Sequence, residues 1–494
     1  MKTSRVVIIG GGFSGTALAA HLARQAVSRL HITIIEPRVM LGAGLAYSSP
    51  DPAHRINVPA SRMQLSGMEE GDFDHWYRQQ PEFYLDSKAR LPNDDVYPQR
   101  SMFGRYVAER LAQAQEQNSL VTVEHIRDTA VQLAGRSVVT ESGNTLEADI
   151  IVLAISHPPP ALPRLLVPFS GHPALIDNPW LSGALAKVKK DERIAIMGTG
   201  LSMADVLATL HGYNHTGSVL AFSRRGLLSR PNLTTHYNLP EQGSLWEKKY
   251  STLGFRSVRH LLQHIRTDII RMAEQGIPWQ IVLDAVRTHG QELWQKFPLV
   301  EQQRFLRHLR SFWDVHRYRI APQVAEIITH RQQQGNLSVI AARLVKLETE
   351  KLKTEKPEAD KETLTLSLKL RQGELIKVTV DKFIITTGPA HSTLTDSQPL
   401  LQDLARRGII QPDVLGLGLH VDEHSHAIDR YGHSHPTLLI VGPAARGRFG
   451  ELMGLPQVAE HAVTVADEVL HILHLSEPLS ELPHSCLSEM KCKS

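Results

Sequence analysis

Two strand, glycine-turn, helix units lie far apart in the chain, and three later buried strands end in small residues. Together they predict an α/β fold with two Rossmann-like dinucleotide-binding domains, the first one discontinuous, plus an all-helical insertion read from apolar residues at helical spacing. The first unit runs from Val6-Val7-Ile8-Ile9 through Gly10-Gly11-Gly12-Phe13-Ser14-Gly15 into the apolar helix that begins at Thr16. Gly10 permits the tight turn, Gly12 lets the backbone approach a pyrophosphate, and Gly15 lets the helix pack closely on the strand. The N–H groups around Phe13 and Ser14 at the helix start suit an anion. A second strand, His31 to Ile35, delivers Glu36 where an acid accepts hydrogen bonds from ribose hydroxyls.

The second unit is Ile194-Ala195-Ile196-Met197 followed by Gly198-Thr199-Gly200-Leu201-Ser202-Met203-Ala204-Asp205. Gly198, Gly200 and Ser202 are its nucleotide-binding candidates. Met203 holds the third-glycine position, which predicts a looser approach of helix to strand. The next strand, 218–222, leads into Ser223-Arg224-Arg225. Arginines at this place suit a ribose 2′-phosphate, because a guanidinium fork matches phosphate oxygens, and so favour NADPH over NADH; two solvated loop arginines are the alternative.

The chain has 494 residues, 42% hydrophobic and 21% charged, with 54 Lys and Arg against 51 Asp and Glu. That balance gives no electrostatic case for nucleic acid or a membrane as partner, and no apolar run approaches membrane-spanning length. Only Cys486 and Cys492 are present, so neither a disulfide framework nor a Cys-x-x-Cys pair is available. The N-terminal apolar run is too short for a signal peptide, which implies a cytoplasmic protein. Histidines 420, 424, 426, 433 and 435 show no settled ligand spacing, and no metal site is expected.

Two dinucleotide units in one chain most often mean a flavoprotein that takes hydride from a nicotinamide. The layout predicts an FAD domain over 1–165, an NAD(P) domain over 166–390 with the helical insertion at 240–335, a second FAD segment over 391–475, and a mobile tail at 476–494. Strands at 149–155, 381–388 and 437–442 return to the sheets.

The sequence resembles the bacterial FAD/NAD(P)-binding flavoproteins that include urate hydroxylases and aspartate N-monooxygenases. The resemblance rests on Gly10 to Gly15, Gly42-Ala43-Gly44-Leu45-Ala46-Tyr47, His54 to Ser61, Gly198 to Asp205, Ser223 to Gly226, and Leu439 to Gly447. It implies that Leu45 to Asn57 line the flavin ring, with Asn57 able to hydrogen-bond it, and that Gly442 sits at the cofactor. Pro443 stands where many relatives carry a ribityl-binding Asp. The resemblance further implies an FAD-dependent monooxygenase that uses NADPH (or NADH) and O2. Through a C4a-hydroperoxyflavin it would hydroxylate a small, nitrogen-rich, anionic substrate of the urate or amino-acid class. Arg446 and Arg448 are the substrate-side candidates, since a guanidinium matches a carboxylate. The alternatives are an NAD(P)H-dependent flavin reductase and a non-catalytic FAD/NAD(P)-binding scaffold. A homo-oligomer is compatible with either.

Phe169 to Trp180 echoes the interdomain fingerprint of Baeyer–Villiger monooxygenases incompletely and reads as a linker, with His172 solvated. Within the insertion, Trp294, Phe297, Phe305, Phe312, Trp313 and Tyr318 are read either as a substrate-pocket wall or as simple core. Arg304, Arg307, Arg310, Arg317 and Arg319 are read as an anion attractor or a solvated face.

Overall fold

The computed structural model describes residues 3–66, 69–155, 158, 160, 162–237, 243–352, 361–388 and 391–475. The tail at 476–494, with both cysteines, lies outside the described residues.

The strand Ser4–Ile9 forms the middle of a six-stranded sheet, because its β-branched part, Val6 to Ile9, is apolar and buried on both faces. It pairs in parallel with Leu30–Ile35 on one side and Ile150–Leu153 on the other, Val6 lying opposite both Ile32 and Ile150. Val121–Ile126 extends the sheet beyond Leu30–Ile35, and Ser434–Ile440 extends it beyond Ile150–Leu153, both in parallel. His426–Ile428 adds an antiparallel edge strand. The helix Phe13–Gln25 is buried along almost its whole length between the sheet and the helices Arg100–Gln117 and Gln457–Leu475. Its alanines at 17, 19, 20 and 23 are fully buried, so small side chains allow this close sandwiching.

The second sheet repeats the plan. Ile194–Met197 lies between Val219–Ser223 and the late strand Lys382–Ile385, all parallel, with Leu175–Ile176 beyond. On the other side Val219–Ser223 pairs with Leu337–Leu352, which turns antiparallel through Lys361–Leu370 to Leu375–Val380. In the mixed-charge sequence 346–362, residues 346–352 and 361–362 lie on these paired antiparallel strands, and residues 353–360 lie outside the described residues. A single hydrophobic core contains Ile8 and Leu18 of the first unit with Ile196, Leu207 and Val324 of the second.

Between Val219–Ser223 and Leu337–Leu352 the chain forms the helices Gly243–Thr252, Val258–Glu274, Trp279–Thr288, Gly290–Lys296, Leu299–His308, Arg310–Arg317 and Pro322–Gln333. Ser257 caps Val258–Glu274 by accepting from the His260 N–H at 3.2 Å. Apolar faces of these helices up to Arg310–Arg317 close a separate core around Phe255, Ile265, Val282 and Leu293. No helix among the described residues is long and apolar enough to cross a membrane.

Candidate dinucleotide sites and an adjoining pocket

Both glycine turns sit at the carboxyl ends of central parallel strands, where strand order reverses and an open crevice forms. In the first, Gly10 has φ +110° and presses on Ala154, whose carbonyl carbon a Cβ would meet at 3.0 Å. Gly12 precedes the helix Phe13–Gln25, and no side chain caps that helix end. A Cβ on Gly12 would lie 3.4 Å from the Gly44 Cα, so the two glycines leave a backbone-lined cradle that side chains would fill. The Thr16 hydroxyl ties the turn to the Gly44 loop, donating to the Gly11 carbonyl at 3.0 Å and accepting from the Gly42 N–H at 2.9 Å.

Glu36 is 3% exposed. One carboxylate oxygen accepts from the Gly11 N–H at 2.9 Å; the other accepts from the N–H and the guanidinium of Arg38, at 3.1 and 2.9 Å. Two carboxylate oxygens offer about four lone-pair sites, so acceptor capacity toward a ribose remains. Ser14 is buried, and the returning segment meets it directly: a Cβ on Gly442 would lie 2.9 Å from the Ser14 Cβ. Leu45 is exposed beside this cradle, while the Asn57 carbonyl accepts from the Asn232 amide at 2.7 Å, joining its loop to the second unit.

The Gly442 N–H donates to His461 Nδ1 at 3.0 Å, and His461 Nε2 lies 2.9 Å from the Ser425 hydroxyl. Accepting at Nδ1 fixes the proton on Nε2. Burial pulls this imidazole down to about 4. The unfolded chain, with an ordinary histidine, therefore binds more protons between pH 6.5 and 4. Stability contributed by His461 is present above pH 6.5 and falls by about 3 kcal/mol on acidification to pH 4. Chemical denaturation across this range is expected to show that slope in the wild type and a flatter one in His461→Asn, which keeps an acceptor near the Gly442 N–H.

In the second turn Gly198 has φ +117° and abuts Thr386, whose hydroxyl donates to the carbonyls of Met197 and Gly198 at 3.1 Å. Gly200 precedes the helix Leu201–Gly212, again without a side-chain cap, and a Cβ there would meet nothing within 4 Å. Ser202 lies in the first turn of that helix, half-buried. Met203 is fully buried in the core shared by the two units, so the missing third glycine is used for packing. Ser223 shapes the loop that follows, taking the Gly226 N–H at 3.0 Å and touching the Thr199 hydroxyl at 2.8 Å. Arg224 is exposed; Arg225 lies with its guanidinium 4.8 Å from the Phe312 ring centre.

An ion pair without a local sequence signal locks the two units. Arg100 donates from both terminal nitrogens to Asp205, at 2.8 and 2.9 Å, and both residues are buried. Trp180 covers the pair, its ring 5.6 Å from the Arg100 guanidinium and 5.3 Å from the His54 ring. Burial holds His54 below its ordinary pKa, and its Nε2 lies 3.0 Å from the Thr209 hydroxyl. His172 is mostly buried rather than solvated, because it accepts from the Ala174 N–H at 3.1 Å and lies 3.5 Å from Glu362.

The helical insertion and the segment after Gly442 enclose a pocket of about 540 Å³. Trp294, Phe297, Phe305, Phe312 and Trp313 line it, as the pocket reading expected, while Tyr318 does not. Arg446 is in the wall; Arg448 is about half exposed and points elsewhere, 3.9 Å from Glu423. The arginine run divides. Arg310 lines the pocket, Arg317 and Arg319 are buried, and Arg304 and Arg307 face solvent.

Residues 7–158 match the family model described as FAD-NAD(P)-binding. No curated protein matches the chain. Among solved structures, the ornithine hydroxylase of Pseudomonas aeruginosa is similar at 13% identity and TM-score 0.59, over 96% of this chain and 100% of that one. The L-lysine 6-monooxygenase of Pseudomonas syringae aligns over the same shares at 16% identity and TM-score 0.58. The FAD-bound cadaverine monooxygenase of Erwinia amylovora covers 95% of each chain at 13% identity and TM-score 0.59. Residues 7–158 thus match an FAD-NAD(P)-binding domain, and the whole chain shares the fold of these solved structures.

Proposed function

We propose that the protein is an FAD-dependent monooxygenase that uses NADPH and O2 to hydroxylate a small nitrogen-bearing, anionic substrate. The observation that carries the reading is the pair of uncapped glycine cradles held at a fixed separation by Arg100 and Asp205, beside a pocket dominated by apolar side chains. Hydride transfer between two dinucleotides needs such fixed geometry. The similar structures named above are hydroxylases or monooxygenases of ornithine, lysine and cadaverine, which supports the class of reaction.

The residues present fit the cofactors. Gly10, Gly12, Phe13, Ser14 and Gly15 would hold the FAD pyrophosphate, Glu36 its ribose, and Leu45, Asn57 and Gly442 would border the flavin. Gly198, Gly200 and Ser202 would hold the NADPH pyrophosphate, with Arg224 and Arg225 at the 2′-phosphate. Bound FAD accepts hydride from the nicotinamide and passes electrons to O2. The protein's share is to orient both dinucleotides and to exclude water, which the apolar insertion over the crevice is suited to do.

Two measurements test this. Purified yellow protein is assayed for NADPH oxidation with urate, L-aspartate, L-ornithine and L-phenylalanine, following product and hydrogen peroxide together. Product equal to NADPH consumed supports the reading. Peroxide alone with every candidate would leave a reductase, and absence of flavin reduction would leave a scaffold. Second, Arg225→Ala is expected to raise the KM for NADPH by about 10- to 100-fold and to leave that for NADH nearly unchanged, the loss expected for one charge-assisted phosphate contact.

A further inference from the structure

Most of the pocket wall is apolar, drawn from the five helices between Val258 and Arg317, and its polar groups are few and unequal. Asp314 is paired with Arg310 at 3.5 Å. Glu451 is taken by Arg317 at 3.1 Å and by the Trp313 indole N–H at 2.7 Å. Arg446 is different. It is 7% exposed; its Nε donates to the Gly450 carbonyl at 3.3 Å, and its Nη1 is buried without a hydrogen-bond partner among the described residues. A buried guanidinium with an unused donor is costly unless an anion completes it. The two carboxylates nearby are already committed to other partners, so neither of them completes it and an anionic ligand is the natural partner.

We infer that the pocket takes an amphipathic organic carboxylate, with an aromatic or branched apolar body among Leu283, Trp294, Phe305 and Trp313 and its acid on Arg446. The inference rests on the monooxygenase reading for naming this ligand the substrate; the preference of the cavity itself does not. Aspartate has almost no apolar surface to bury and urate carries N–H and C=O groups all round its rim, so they match Arg446 better than the wall. The volume of about 540 Å³ lies within the range of small-molecule sites.

The test is calorimetric titration of the purified FAD-loaded protein, without NADPH, using 3-phenylpropionate, its neutral analogue 3-phenylpropanol, L-aspartate and urate. The acid is expected to bind at least about tenfold more tightly than the alcohol, the difference one charge-assisted contact supplies. In Arg446→Met the two should bind equally, with the alcohol nearly unaffected. Phe305→Ala should weaken both alike. Binding of the acid should also perturb the visible flavin spectrum. Equal binding of acid and alcohol by the wild type overturns the role of Arg446, whether or not the Met variant folds. Tighter binding of aspartate or urate than of 3-phenylpropionate overturns the apolar body. Binding with an unchanged flavin spectrum overturns the assignment of the pocket to the substrate. Failure of NADPH to reduce the flavin would sink the monooxygenase reading alone and leave these preferences intact.

Discussion

Replacing Asp205 by alanine is expected to lower the free energy of unfolding by about 3–5 kcal/mol, the usual cost of stripping one partner from a buried ion pair. Arg100 would remain where its backbone and Trp180 hold it, still donating from Nε to the Arg55 carbonyl at 2.8 Å but with two terminal nitrogens unpaired. Urea denaturation followed by circular dichroism measures the change. The double variant Arg100→Met, Asp205→Leu should recover most of the loss, because it removes the stranded charge and replaces it with apolar volume. A loss below about 1 kcal/mol in the single variant, as for an exposed pair, would show that water reaches Arg100 and that the contact locks nothing. The same variant should slow flavin reduction by NADPH, since the two nucleotide units lose their fixed separation.

The second large effect is expected at Gly198. An alanine Cβ there would stand 2.7 Å from both the carbonyl carbon and the hydroxyl oxygen of Thr386, at a φ of +117° that L-residues rarely adopt. The turn has to shift, and displacement of a bound reactant by about 1 Å is enough to cost about 100-fold in rate. Stopped-flow reduction by NADPH should therefore fall at least about 100-fold in Gly198→Ala. FAD content should stay normal, because the first cradle is built from other strands. Gly200→Ala is the contrast: its Cβ would meet no protein atom within 4 Å, so any loss reports crowding of the nucleotide itself. Equal, small effects at both positions would argue that the second turn holds no dinucleotide.

The strands, glycine turns and helices were legible because each is written in neighbouring residues: a β-branched run, a glycine that must adopt positive φ, an apolar stripe at helical spacing. The insertion was legible for the same reason. The contacts that turn these parts into a site were not. Arg100 and Asp205 are 105 residues apart, and nothing near either one announces the other. Thr386 closes the second turn from a strand that returns late, and Arg38, two residues past Glu36, holds a carboxylate that the motif alone leaves for the ribose. Arg446 and Arg448 look alike in sequence, yet one helical turn places the first in the pocket wall and the second against Glu423. The six insertion aromatics posed the same difficulty. Helical spacing says they face inward, but whether that interior is filled or hollow depends on how the helices pack, which periodicity does not encode.

The discontinuity of the first sheet also sets an order of events during synthesis. Ile150–Leu153 must wait for Ser434–Ile440 before its outer edge is paired, and about 280 residues, including the whole second unit, emerge in between. At typical elongation rates that is a delay of roughly 15–60 s. During it the nascent chain carries an open strand edge, while the second sheet and the helical insertion can complete themselves. Gly442 reaches Ser14 only after that last strand has docked. The first cradle thus becomes whole only once residues 434–442 have emerged, and a chain stopped before residue 434 should accumulate without flavin, however well its first glycine turn is made.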